Sequence, residues 1–309
     1  MSRLASIAVL LVFAGPSMAG FHRGTTAGAE MALPTSALAA SLGPVSAGMC
    51  ESAGAVAENP ARMGSGQGIA ASYNAWPMQL SDGSVAGCIG MGPAGTIGLF
   101  VRRLWMTMDR LVENGDGTYG GVNGRLDTQA TTGGLAWSPD PALLTDLLDR
   151  RASVGVSVAY AGRRLDDTSQ KGISGTVGGD VEVSEHIRAF AVGRNLGMVS
   201  GSSLPLAGTG GVVFTNEFVG LGRLRTAASG TWSADGGPSG ALGAELAVSG
   251  GHATAALRAG YRLGAVRQAG YLPFAGIAVG LGGLSLEMAL VPYGEVGTAQ
   301  VASLSYSLQ

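Results

Sequence analysis

From Gly66 to the end of the chain, apolar residues alternate with small or polar ones at a period of two, the spacing that places successive side chains on opposite faces of a strand. Val154, Val156, Val158 and Tyr160 alternate with Gly155, Ser157, Ala159 and Ala161. Leu242, Ala244, Leu246 and Val248 do so with Gly243, Glu245 and Ala247, and Leu257, Ala259, Tyr261 and Leu263 with Arg258, Gly260 and Arg262. Leu284, Leu286, Met288 and Leu290 alternate with Ser285, Glu287 and Ala289, and Ala302, Leu304, Tyr306 and Leu308 with Ser303, Ser305 and Ser307. Such segments number about fourteen, near 67–76, 83–92, 95–106, 128–138, 152–163, 172–184, 186–197, 208–218, 223–233, 239–249, 252–263, 273–281, 283–291 and 300–308.

A soluble sandwich also alternates, but turns polar residues outward. Here the second face is mostly Gly, Ala and Ser, which suits a transmembrane antiparallel barrel with small residues facing its lumen and apolar residues facing lipid. The connections support this. Those at 77–82, 107–127, 164–171, 198–207, 234–238, 264–272 and 292–299 are longer, and they alternate with shorter ones at 93–94, Glu185, 219–222, 250–251 and Gly282. The exception, 139–151, opens on Pro139-Asp140-Pro141, and its leucine spacing predicts a small amphipathic helix.

Composition adds that 53 of 309 residues are Gly and only 13% are charged, with mean hydropathy +0.29. Past the N-terminus no clean apolar run of about 20 residues exists to form a spanning helix, so a chain that needs lipid is left with a closed barrel. Residues 1–19 read as a cleaved signal peptide, with Arg3, an apolar core over 4–14 and the small-x-small end Ser17-Met18-Ala19. Residues 20–65 are Ala- and Gly-rich without lasting period, and 66–309 form the barrel. Export leaves two readings for Cys50 and Cys88, a disulfide or two buried free thiols. The net charge of −2 offers no footprint for nucleic acid.

Several passages resemble the PorV/PorQ family of outer-membrane barrels, a branch of the FadL-like superfamily. Ser46-Ala47-Gly48-Met49-Cys50 followed by Glu58-Asn59-Pro60-Ala61-Arg62-Met63 resembles the family's N-terminal segment, with Cys50 where Gly is usual and a shorter spacing between the two parts. Gly155–Tyr160, then Arg194-Asn195-Leu196-Gly197 and Leu204-Pro205-Leu206, continue the likeness. Leu242-Gly243-Ala244-Glu245, Ala256–Tyr261, Pro292–Thr298 and Ser303–Tyr306 complete it in order, while 77–150 carries little of it. The resemblance implies a FadL-like barrel in the bacterial outer membrane, with 20–65 as a plug and Asn59, Pro60 and Ala61 within its hatch. It also implies an accessory or cargo-shuttle role in type IX-like secretion, with secretion-machinery proteins or the C-terminal domains of secreted cargo as partners. The superfamily's other members imply instead a channel for hydrophobic small molecules; a barrel without a transport role is the third reading.

No HExxH, CxxC, P-loop or GxSxG occurs, and His22, His186 and His252 lack metal-ligand spacing, so neither an enzyme nor a cofactor or metal site is expected. Gly64–Gly68 precedes a strand rather than a helix, which argues against a phosphate cradle, and Glu113–Thr118, whose oxygen ligands at alternate positions could hold Ca²⁺, reads rather as an ordinary polar loop. Glu245, Arg258, Arg262 and Glu287 fall opposite the apolar face. They are expected to point into the lumen and pair across strands. Arg102, Arg103 and Trp105 fall where an interfacial anchor is expected, in contact with membrane lipid.

Overall fold

The computed structural model describes residues 28–64, 66–113, 119–148, 150–165, 168–218, 222–234, 236–264 and 273–308. Residues 1–19, expected to be a signal peptide, the start of the 20–65 segment and residues 114–118 of the expected polar loop lie outside the described residues.

Fourteen strands follow one another: β1 (Gln67–Ala75), β2 (Leu80–Gly90), β3 (Thr96–Glu113), β4 (Tyr119–Ser138), β5 (Ala152–Leu165), β6 (Thr168–Ser184), β7 (Ile187–Val199), β8 (Ala207–Phe218), β9 (Gly222–Ser233), β10 (Gly237–Gly250), β11 (Ala253–Gly264), β12 (Pro273–Leu281), β13 (Leu284–Pro292) and β14 (Thr298–Leu308). Each pairs antiparallel with its sequence neighbours, and β1 pairs with β14 from Gln67↔Leu308 to Ala75↔Gln300, which closes the barrel. A two-residue pairing, Ser202–Ser203 with Met198–Val199, lies in the β7–β8 connection. Closure removes the free edges that a sheet cannot expose to lipid.

The alternation read from sequence maps onto the two faces of this wall. Ile69, Val85, Leu99, Leu135, Val158, Ile173, Leu257, Val279 and Leu290 are each more than half exposed, although no soluble protein shows so continuous an apolar exterior. An outer face of this kind is built for lipid. The chain ends and the short turns, at 185–186, 251–252 and 282–283, share one rim; the helix α3 (Pro141–Leu148) stands at the same rim, where a helix was expected. The other rim carries the longer loops. Two of these are shorter than the sequence suggests, because β3, β4, β5 and β6 continue as paired strands past the apolar belt. Polar residues there need not meet hydrocarbon, so the strand persists where apolar alternation has stopped.

Residues 28–64 do not join the sheet. They form short helical turns, including α1 (Ala37–Leu42), capped by Ser36 accepting from the Ala39 N–H at 3.2 Å, and α2 (Ser46–Met49). This segment packs against the inward face of the strands. Leu42, Val45 and Met49 cluster with Phe190, Val192 and Val213; Ala37 and Ala40 with Trp76, Phe274, Val291 and Val301; and Val56 and Met63 with Cys88 and Ala136.

Candidate functional site

The lumen and the segment within it form the candidate site. Small inward residues make the space. A Cβ added at Gly155 would lie 2.4 Å from the Ala61 nitrogen, and one at Gly178 2.0 Å from Asn59 Oδ1. The wall can therefore approach the Asn59-Pro60-Ala61 turn only because those two positions lack side chains. Asn59 is fully buried; its amide donates to the Ala47 carbonyl at 2.8 Å, and its Oδ1 accepts from the Ala61 N–H at 3.2 Å. It is thus an N-cap for the turn Pro60–Met63, with proline at the position where a missing N–H costs least.

Three of the four charges expected to face the lumen come together in a chain of ion pairs. Arg225, Glu245 and Arg258 are direct cross-strand partners on β9, β10 and β11. Glu245, 2% exposed, accepts from Arg225 Nε at 2.9 Å and Nη2 at 2.6 Å through Oε1, and from Arg258 Nε at 2.7 Å through Oε2. Arg258 reaches Glu287 on β13 at 2.8 and 3.3 Å, passing over Gly276, its partner on β12. Arg225 Nη1 then donates to the Met49 carbonyl and to Glu51 Oε1, both at 3.1 Å, so the chain crosses from the wall to the segment. Glu51 continues to Arg62 at 3.2 Å, and Arg62 to Asp180 on β6 at 3.4 Å. Arg262 shares the inward face of β11 but is exposed, and it takes no part in this chain.

Two further clamps hold the segment. Arg194 on β7 pairs with Glu58 at 2.9 Å, and Glu58 accepts from Thr35 Oγ1 at 2.7 Å. Arg102 on β3 pairs with the buried Asp82 at 2.7 Å and donates to the Leu33 carbonyl at 2.9 Å and the Pro34 carbonyl at 3.3 Å. Asn74 and Trp76 Nε1 also donate to Asp82. Arg102 was expected at the membrane interface; it turns inward because it alternates with the lipid-facing Val101, and only Arg103 and Trp105 lie on the outer face.

Arg225, Glu51 and Asp82 were not singled out from sequence, and Glu58 entered only as the first residue of the Glu58–Met63 passage. Arg225 carried a usable signal, since it alternates with the outward Leu224 and Thr226. Glu51 and Glu58 carried none, lying in a segment without period.

Of the two readings for the cysteines, the disulfide is absent. Both are buried free thiols, Cys50 directed at the Ala47 carbonyl at 3.6 Å and Cys88 beside Ser52 Oγ at 3.5 Å. Burial, reinforced by the nearby Glu58 carboxylate, pushes the Cys50 thiol up to about 12.

Apolar contacts and ion pairs together hold residues 28–64 against the inward face of the wall. Among the described residues no group of His, Cys, Asp and Glu is placed to hold a metal ion.

No family model matches the chain, and no curated protein matches it. Solved structures do. The deltaS2S3 mutant of the monoaromatic hydrocarbon channel TodX superposes with a TM-score of 0.63 at 9% identity, over 88% of this chain and 98% of that one. The toluene transporter TodX of Pseudomonas putida gives 0.60 at 9% identity, over 92% and 98%. The toluene transporter TbuX of Ralstonia pickettii gives 0.55 at 14% identity, over 87% and 98%. At such identities the likeness concerns architecture: the chain folds as a closed, fourteen-stranded antiparallel barrel, the fold of these channels.

Proposed function

We propose that this protein is a non-catalytic outer-membrane channel for hydrophobic small molecules, exported by a signal peptide over 1–19 and closed by residues 20–65 acting as a plug. The observation that carries this reading is the lumen itself. Its filling is apolar where Leu42, Val45 and Met49 meet Phe190 and Val213, and the segment is separate from the sheet, so it can move without opening a strand ladder. A porin for hydrophilic solutes would instead present a polar, water-filled bore. The architecture shared with toluene transporters supports the same class of solute. In this reading Asn59, Pro60 and Ala61 form the turn on which the plug seats, and Glu245, Arg258 and Glu287 anchor it through Arg225 and Glu51.

The test is uptake of radiolabelled toluene and, separately, of a disaccharide by cells whose own hydrocarbon channel has been deleted. Faster toluene entry with unchanged disaccharide entry is expected. Disaccharide entry alone, or neither, overturns the proposal.

A second reading rests on the ordered passages Leu242–Glu245, Ala256–Tyr261, Pro292–Thr298 and Ser303–Tyr306, which resemble PorV/PorQ barrels. It makes the protein a shuttle for secreted cargo. Crosslinking at the long-loop rim in cells that secrete such cargo separates the two, since a small-molecule channel captures no cargo C-terminal domain.

A further inference from the structure

The outer wall is not uniformly apolar, and its charges are confined to one sector. On β1, β2 and β7 to β14 the described outward positions, those in register with the exposed apolar side chains, carry no charged side chain at all. On β3 to β6 they carry the cations Arg103, Arg164 and Lys171, all exposed and all just beyond the apolar belt on the long-loop side, with the carboxylates Asp127 and Asp109 exposed farther from the belt. Arg103 is one outward step past Val101, Arg164 two past Tyr160, and Lys171 one past Ile173, each side chain below them lying on the lipid face.

The register brings Arg103 and Lys171 close together across this sector of the wall, with Arg164 one outward step from their row. Arg103 pairs with Thr131, Thr131 with Gly162, and Gly162 with Lys171, so only a threonine and a glycine stand between Arg103 and Lys171. Three strand spacings of about 4.8 Å put those two backbones about 14 Å apart. A groove of about 400 Å³ opens beside Arg103, lined by Trp105, Thr107, Asp127 and Gln129. Gln129 Oε1 accepts from Arg103 Nη2 at 2.8 Å, which fixes the guanidinium while leaving it other donors. The single carboxylate in the groove, Asp127, lies a further step from the belt and accepts from Thr107 at 3.1 Å, so the edge nearest the membrane is the cationic one. Trp105 and Tyr73, 6.2 Å between ring centroids, flank it on the outward face, the position amphipathic rings take at headgroup depth.

We propose that Arg103, Arg164 and Lys171, beside Trp105 and Tyr73, form a binding site on the outer wall for the phosphorylated headgroup of a lipid in the surrounding leaflet. The acyl chains lie along the apolar positions of β3 to β6, and the phosphates meet the cations at the belt's edge. A phosphate oxygen suits a guanidinium and an ammonium held on a rigid wall, where charge-assisted hydrogen bonds form without ordering a loop. The two residues between them, Thr131 and Gly162, are small and leave room for the sugar or glycerol that links phosphates to chains. The site rests on the lipid-facing reading of the wall but not on what crosses the lumen, so failure of toluene uptake and failure of lipid binding are separate results.

The test uses the intact barrel released in a neutral detergent, titrated in native mass spectrometry with a bis-phosphorylated glucosamine lipid, its dephosphorylated form, and inorganic phosphate. The phosphorylated lipid is expected to bind at least tenfold tighter than the dephosphorylated one, with inorganic phosphate leaving no adduct at the same concentration. Removing one cation, in Arg103→Gln or Lys171→Gln, should weaken binding about fivefold, and removing both should compound the loss. Arg103→Lys should retain most of it, and Arg150→Gln at the opposite rim should change nothing. Heat-dependent gel mobility of each variant confirms that the barrel has formed. Equal binding of the two lipid forms, equal binding by the double variant, or saturation by inorganic phosphate alone overturns the site.

Discussion

Glu245→Gln removes the central charge of the buried ion chain and changes little else. The side chain keeps its volume and can still accept one hydrogen bond, but Arg225 and Arg258 then face one another across a neutral amide. Three charge-assisted hydrogen bonds, at 2.6, 2.7 and 2.9 Å, converge on that carboxylate. Removing one partner of such a buried group costs about 3–5 kcal/mol, because two cations are left in a site that cannot solvate them. Glu287 and Glu51 remain to neutralise the outer arms of the two arginines, which places the expectation near 3 kcal/mol, about a hundredfold in the unfolding equilibrium. Urea titration of the detergent-solubilised barrel, read by heat-dependent gel mobility, measures it. The control is the combined variant Arg225→Met, Glu245→Leu, Arg258→Met, Glu287→Gln, in which no charge is stranded in the wall and Glu51 keeps Arg62. That variant should lie close to wild type, since apolar replacements of a buried ionic group are often neutral or stabilising. If Glu245→Gln unfolds within about 1 kcal/mol of wild type while the combined variant collapses, the chain stabilises by net attraction and the desolvation reasoning fails.

Gly178→Val puts a side chain into the Asn59 turn and should expel the segment while leaving the barrel closed, detected as new protease cleavage within 28–64 with unchanged heat-dependent mobility. Cys50, with its thiol raised to about 12, should be about one part in ten thousand thiolate at pH 8 and resist alkylation in the folded protein, reacting promptly once unfolded. Because the folded value lies above the ordinary 9.0, the thiol's contribution to stability is complete below pH 9 and falls as pH rises from there toward 12, so a Cys50→Ala variant should lose less stability than wild type across that window. Ser202→Cys, in a background without Cys50 and Cys88, should react with an impermeant thiol reagent on whole cells, whereas Gly250→Cys at the opposite rim should not; the reverse pattern inverts the barrel.

The strands were legible because the lipid face imposes a strict period of two over nine or more residues, and the closed sheet leaves no other solution. All fourteen fall where the alternation puts them, and the disagreements lie at β3 to β6, whose ends run past the belt where the apolar signal stops, and at β2, which begins already at Leu80. The adjacent pair Arg102 and Arg103 shows how parity decides what composition cannot. Counting outward from Leu99 and Val101 sends Arg103 to the exterior and Arg102 to the buried Asp82, yet reading both as interfacial residues hides the clamp. Asp82 was hidden for a different reason, since it lies in a stretch that reads as loop. The partners of Glu51 and Glu58 were beyond reach of local pattern, because Arg225 and Arg194 meet them only through the closed geometry of the wall.

That geometry constrains how the molecule can be assembled. The Ala37 amide donates to Ser303 Oγ at 2.8 Å, a contact between residues 266 apart in the chain. One end of the polypeptide waits for the other, because the wall on which the early residues rest is complete only when the last strand has sealed against the first. Contacts of such sequence separation make closure slow, and the intermediate carries two unpaired strand edges while it waits. The segment, tethered directly to β1, therefore finds its full seat last, when Arg225 and Arg194 on distant strands have been brought round to meet Glu51 and Glu58. A chain shortened at its beginning would close on an empty bore and leave those arginines without the carboxylates that neutralise them.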